Sequence, residues 1–175
     1  MGNWTKRLLA IVVGALTGCV IGGRTIYYVD DPFQFLAHAA KQGVIPIMIV
    51  GDPYPSRGQF VAAALLDAFD RNFKTLGNPF RWVELDASAS SKIVVMFDVA
   101  TSVRPQTICA DPTQLVAGPT KARMSVRALY CGDGPYSEYS MSFPTPQSPE
   151  DPKFAEMMNH LAFFTVPREL NPDHR

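Results

Sequence analysis

The pattern of apolar and polar positions between residues 57 and 76 predicts an amphipathic helix. Apolar side chains recur there every three or four residues, while charged side chains occupy the opposite face. The apolar positions are Ala62, Leu65, Leu66, Phe69, Phe73 and Leu76. Ser56 and Gln59 have the spacing of a capping box at the start of this helix. Gly77 is expected to end it in a left-handed conformation, and Pro79 prevents its continuation.

Two further segments have helix signals. Near the end of the chain, Asp151 is a candidate N-cap and Pro152 a candidate first helical residue, and Pro167 ends the segment. Its buried face is predicted to consist of Phe154, Met157, Met158 and Leu161. A shorter helix is predicted over residues 33–40, with Asp31 as its N-cap.

Five segments have the composition or alternation of β-strands. They are residues 44–50, 80–85, 92–99, 123–131 and 138–143. The third is apolar on both alternating faces and is therefore expected at the centre of a sheet. The last two form a hairpin with one wet, solvent-exposed face, which carries Arg127 and Glu138. Pro46 has no N–H to donate, so the first strand is expected at an edge of the sheet or with an unpaired end.

This order of elements predicts an α+β fold. We expect a mixed, mostly antiparallel sheet of about five strands with two amphipathic helices packed on one face. The wet face of the hairpin indicates that the other side of the sheet is at least partly open. The globular domain is expected to span residues 44–167, with a tail over 168–175.

The first residues have the three-part layout of an export signal. Lys6 and Arg7 precede an apolar run from Leu8 to Leu16, and small residues lead to Cys19. The run is too short to span a bilayer as a helix, which takes about 20 residues. We therefore predict a signal over residues 1–18 and a tether over 19–43.

The tetrad Leu16-Thr17-Gly18-Cys19 resembles the lipobox of bacterial lipoproteins. The resemblance implies that a lipid is attached to the sulfur of Cys19 and that the chain is cut before it. A plain signal peptide and an uncleaved anchor remain alternatives. Val20 and Ile21 follow, without the aspartate that retains enterobacterial lipoproteins in the inner membrane, and this favours the outer membrane.

Composition and cysteine usage narrow the possible functions. Sixteen basic residues balance sixteen acidic ones, so nothing predicts nucleic-acid binding. With Cys19 lipidated, Cys109 and Cys131 remain, and an oxidising compartment favours a disulfide between them. Two buried free thiols are the alternative. The three histidines are scattered and no CxxC occurs, so neither a metal nor a cofactor is predicted.

The most suggestive surface is the turn from Gly51 to Gly58. A helix start offers free N–H groups to an anion, and Gly51, Asp52, Ser56 and Arg57 are the candidate binding residues. A well-made helix start without a ligand explains the same residues.

Candidate catalytic carboxylates are few, and each has an ordinary structural explanation. Asp67 and Asp70 lie one turn apart on the polar helix face, which is typical of a solvated surface. Asp98 ends the apolar strand, where sites gather in α/β sheets, and Asp111 or His160 could join it in acid–base chemistry. No known catalytic motif accompanies these residues.

The body of the chain resembles a group of uncharacterised alphaproteobacterial envelope proteins. The resemblance covers roughly residues 44–143 and rests on Ile47-Met-Ile-Val-Gly-Asp-Pro53 and the later cysteines. Asp52 stands where that group has asparagine, and Tyr54 where it has phenylalanine. It implies an exported single domain and no known activity.

These observations favour a non-catalytic cell-envelope lipoprotein. Its domain would face the periplasm and bind an envelope partner or a small ligand, with the membrane contacted through the lipid. An envelope hydrolase using Asp98, and a structural subunit of an envelope assembly, are the alternative hypotheses.

Overall fold

The computed structural model describes residues 22–85 and 88–168. The predicted signal, Cys19 and all but the first residue of the tail lie outside these residues. The strands are β1 (Gly22–Tyr27), β2 (Ile45–Val50), β3 (Phe80–Trp82), β4 (Lys92–Phe97), β5 (Arg123–Cys131) and β6 (Pro135–Pro144). The helices are α1 (Pro32–Gln42), α2 (Gly58–Asn72), α3 (Pro105–Ala110) and α4 (Pro152–Thr165).

The strands form one mixed sheet in the order β1-β6-β5-β4-β2-β3. β2 is parallel to both of its neighbours, and the other pairs are antiparallel. The predicted α+β class is confirmed, with six strands rather than about five. The additional strand, β1, corrects the prediction of a tether up to residue 43, because it pairs along its whole length with β6.

One face of the sheet carries the main hydrophobic core. α2 and α4 pack side by side on this face, as the two apolar stripes predict, and Leu36 of α1 joins the same cluster. An aromatic group of Phe69, Phe73 and Phe80, with ring centroids 5.3 to 6.1 Å apart, fills the space between α2 and β3. Burying one such side chain stabilises the fold by roughly 1.5–3 kcal/mol.

The second face is covered in its centre by the segment 98–118. This segment leaves the end of β4, forms α3, and returns to make an antiparallel bridge between Val99 and Ala117. Val94 and Met96 of β4 pack beneath it with Ile108, so β4 is buried on both faces, as predicted. Beyond this cover the second face is partly exposed at Ser140 and Ser142 of β6.

Helix caps are confirmed in two of the three predicted places. Asp31 accepts a hydrogen bond from the Gln34 amide, and Asp151 accepts one from the Lys153 amide. The capping box at Ser56 is wrong, because Arg57 is the N-cap of α2 and makes no side-chain cap bond. Ser56 itself has a φ of +65° and belongs to the preceding turn.

The end of α2 and the position of β2 also differ from expectation. α2 ends at Asn72, and residues 74–76 form a separate 3₁₀ turn. β2 lies inside the sheet rather than at its edge, and Pro46 pairs only with β3. Pairing with β4 begins one residue later, at Ile47, so the missing N–H of proline breaks no bond on that side.

Gly77 has the predicted left-handed conformation, with φ of +79° and ψ of +29°. A side chain at this position would meet no atom within 4 Å, so the cost of a substitution is conformational rather than steric. We expect Gly77→Ala to lower the free energy of unfolding by about 1 kcal/mol. Urea denaturation measures this, with Gly58→Ala, at an equally open position in α2, as the control. A change near zero at Gly77 would contradict the expectation.

Candidate functional site

The predicted pairing of Cys109 with Cys131 is present. Cys109 lies on α3, Cys131 ends β5, and their Cα atoms are 5.5 Å apart in a disulfide that joins positions 22 residues apart. The alternation of β5 directs Cys131 to the second face, away from the main core, and α3 lies on that same face. The bond therefore fastens the far tip of the segment 98–118 to the sheet.

The turn before α2 forms internal contacts at its charged and polar positions. The Asp52 carboxylate accepts a hydrogen bond from the Tyr54 amide. The Arg57 guanidinium forms an ion pair with Glu150, at 2.5 Å. The cation that was expected to attract an anion is therefore already compensated by a carboxylate of this chain.

Gly51, the first of the candidate anion-binding residues, has a separate structural requirement. Its φ is +87°, and a Cβ at this position would lie 2.6 Å from the carbonyl oxygen of Phe97. Glycine here lets the turn after β2 pass close to the end of β4.

Asp98 stands at the end of β4 with a φ of +53°. Its amide donates to the Ser125 carbonyl, its Oδ1 accepts from the Ser125 amide, and its carbonyl accepts from Gly118. These bonds hold the start of β5 and the returning segment together. Oδ2 is buried and has no hydrogen-bond partner among the described residues. Asp98 therefore has a structural role that the sequence did not suggest.

The proposed partners of Asp98 are engaged elsewhere. Asp111 accepts bonds from Thr113 and Gln114, and these hydrogen bonds, the Thr113 hydroxyl first, lower the pKa of its carboxyl group. His160 lies on α4 and contacts the ring of Phe164. Within residues 22–85 and 88–168, no hydrogen bond joins Asp98 to either residue.

The two aspartates on α2 are also separated in their contacts. Asp67 forms an exposed ion pair with Arg71, one turn away. Asp70 is partly buried, and this burial raises the pKa of its carboxyl group despite the nearby Arg81, with the charge of Asp67 raising it further. Among the described residues no hydrogen bond joins the two carboxylates.

A buried ion pair on the second face was not predicted from the sequence. The guanidinium of Arg127 donates to both carboxylate oxygens of Glu138, at 2.6 and 3.1 Å, and its third nitrogen donates to the Val103 carbonyl. Their side chains are only 11% and 7% exposed. The signal was present, because both residues were assigned to the wet face of one hairpin. Their register places them diagonally across adjacent strands.

Tyr28 completes this cluster. Its hydroxyl donates to Glu138 at 2.9 Å, just beyond the end of β1. Burial first, and then the hydrogen bond and the charge of Glu138, raise the pKa of Tyr28 to about 12. The cluster connects β1, β5, β6 and the segment 98–118, and each polar group in it has a partner.

A cavity of about 740 Å³ lies beside the starts of β2 and β3. Its described lining mixes apolar side chains, among them Val44, Met48 and Leu85, with the polar side chains of Gln42, Glu84, Ser90 and Ser91. The exposed Trp82, at 48% exposure, belongs to the neighbouring edge strand β3. A concave surface of this kind is the usual setting of a small-ligand site.

No known protein family matches the chain. Comparison with curated proteins and with solved structures likewise gives no significant similarity. Among the residues that the structure describes, no three metal-binding side chains cluster, and no helix is long and apolar enough to cross a bilayer.

Proposed function

We propose that this chain is a lipid-anchored cell-envelope protein with a non-catalytic domain in the periplasm. The domain would bind an envelope partner or a small ligand. The observation that carries the proposal is the Cys109–Cys131 disulfide. Disulfides persist in oxidising compartments such as the bacterial periplasm and are rare in the cytosol.

The first 19 residues support the same location independently. A basic start, an apolar run and the tetrad ending at Cys19 have the order of a lipoprotein signal. The three cysteines would then have two distinct roles, because Cys19 precedes β1 in the sequence while Cys109 of α3 is bonded to Cys131 of β5.

Lipidation predicts a specific response to substitution of Cys19. We expect an alkyne fatty acid supplied to cells to label the wild-type protein and Cys109→Ser, but not Cys19→Ser. Cys109→Ser is the matched control because it also removes one sulfur, at a position proposed to carry no lipid. Labelled Cys19→Ser would refute lipidation at this residue, and unlabelled wild-type protein would refute lipidation as a whole.

The outer membrane is the proposed destination, because Val20 and Ile21 provide no aspartate at the retention position. Separation of the two membranes by density tests this part. Recovery only with the inner membrane would overturn it while leaving lipidation intact.

A structural subunit of an envelope assembly is the second candidate. It is supported by the short edge strand β3, whose Trp82 is half exposed. Pull-down from detergent-solubilised membranes, compared between wild type and Trp82→Ala, distinguishes it. A partner lost in the variant favours an assembly through this edge, and an unchanged set of partners contradicts it.

A further inference from the structure

The position of β1 determines which end of the domain lies near the anchor. Cys19 and Gly22 are three residues apart in the sequence, so at most about 11 Å of extended chain separates them. Gly22 pairs with Ser142 at the end of β6, and Arg123 begins β5 beside the same point. With a lipid on Cys19, the distance from this corner of the sheet to the membrane surface is no greater than about the thickness of the headgroup layer.

Three turns, the residues after β4 and the start of β1 share this end of the sheet. We define the anchor-side rim as residues 22–24, 51–57, 98–99, 116–123 and 144–153. Hydrogen bonds join its turns, from Thr120 to the Pro53 carbonyl at 3.4 Å and from the Thr145 amide to the Ala122 carbonyl at 3.0 Å. We define the far rim, at the opposite strand ends, as residues 28–31, 41–44, 74–79, 88–92, 110–114 and 132–134.

The two rims have opposite charge although the chain as a whole is neutral. The anchor-side rim holds five cationic side chains against four carboxylates, and the far rim holds three against four. All four anchor-side carboxylates have partners in this chain: Glu150 pairs with Arg57, and Asp52, Asp98 and Asp151 accept backbone amides. Among the residues that the structure describes, Arg24, Lys121, Arg123 and Lys153 form no ion pair.

One exposed apolar side chain lies on the anchor-side rim, and the far rim has two, Val44 and Tyr28, so charge rather than apolar exposure distinguishes the rims. Val116 is 81% exposed and lies one residue before the bridge that returns the segment 98–118 to the end of β4. An apolar side chain beside lysine and arginine is the composition that favours the boundary between headgroups and acyl chains.

We infer that the anchor-side rim docks on an anionic lipid surface, so that the domain stands with its far rim, including the turn at Asp133, pointing away from the membrane. The inference rests on the proposed lipid at Cys19. One anchor at a corner of the sheet leaves the tilt of the domain free. Each cation near an anionic surface raises the binding constant of the domain for that surface by roughly five-fold. The cations of the anchor-side rim therefore fix the tilt.

The test uses four exposed lysines as position markers. The full-length protein, purified with its lipid, is placed in vesicles of phosphatidylethanolamine and phosphatidylglycerol and acetylated with a membrane-impermeant reagent. Compared with the protein in detergent, labelling of Lys121 and Lys153 should fall by about ten-fold, because a docked rim is exposed in only a small fraction of molecules. Labelling of Lys41 and Lys74, on the far rim, should not change.

A charge reversal separates docking from simple proximity to the membrane. Lys121→Glu should restore labelling of Lys153 in these vesicles, whereas the matched far-rim change Lys74→Glu should leave Lys153 protected. Uniform labelling of all four lysines in the wild type, or protection of the far rim, overturns the inference. The mass of the Cys19 peptide is read from the same sample. A lipidated peptide with uniform labelling refutes the docking alone, and an unmodified peptide refutes the proposed anchor and the docking that depends on it.

Discussion

Replacing both Cys109 and Cys131 with serine should lower the free energy of unfolding by about 3 kcal/mol. The disulfide closes a loop between positions 22 residues apart. In the chain-entropy model its loss raises the conformational entropy of the unfolded state, which stabilises that state by about this free energy. Both side chains are buried, at 5% and 0% exposure, so two serine hydroxyls would also be placed under α3. Urea denaturation of the oxidised wild type and the double variant measures the difference.

Reduction of the wild type provides the matched control for that experiment. A Cys19→Ser background removes the third thiol, and a reductant should then bring the wild type close to the double variant. Hydrogen exchange should increase first in the segment 98–118, because the disulfide holds its far tip to the sheet. Equal stability of the oxidised and reduced wild type would contradict the stabilising role of the bond.

The main core was predictable because local pattern and tertiary packing agree there. The stripes of α2 and α4 occur every three or four residues, and each stripe meets the same face of the sheet. Asp31 and Asp151 precede prolines at the first helical turn, so a short-range signal fixes both helix starts. The disulfide was predictable by elimination, since Cys19 belongs to the signal pattern.

The elements that were missed depend on partners distant in sequence. β1 contains two glycines and lies close behind the predicted signal, so nothing local marks it as a strand, and its pairing with β6 spans more than 100 residues. The start of α2 has the spacing of a capping box. There the chain enters the helix through a turn with a positive φ at Ser56, and Arg57 is held by Glu150 from the loop before α4.

In the candidate site, too, local sequence signals were predictable and contacts with residues distant in sequence were not. Asp98 was recognised as a polar strand end, but its bonds to Ser125 and Gly118 required the register of β4 with β5 and the returning segment. Arg127 and Glu138 were each assigned to the wet face of the hairpin. The sequence did not reveal that the segment 98–118 covers part of this face and buries the pair.

The second large effect is expected at the Arg127–Glu138 ion pair. Glu138→Leu should lower the free energy of unfolding by about 3 kcal/mol, because the guanidinium would remain buried without its carboxylate. Arg127→Met should lower the free energy of unfolding by a similar amount, because the carboxylate of Glu138 would remain buried without its guanidinium. The double variant should lose far less free energy of unfolding than the sum of the two single losses, since replacing a buried pair by apolar groups leaves no uncompensated charge.

Urea denaturation of the four proteins in this cycle gives the coupling energy, and Tyr28 reports the geometry. Tyr28 has a pKa raised to about 12, chiefly by burial and then by Glu138, so Glu138→Leu should move its titration to lower pH. Arg127→Met should move it to higher pH, because the arginine charge favours the tyrosinate. Losses that add simply, with Tyr28 unchanged, would mean that water compensates the pair and that β1, β5 and β6 are not held together by this cluster.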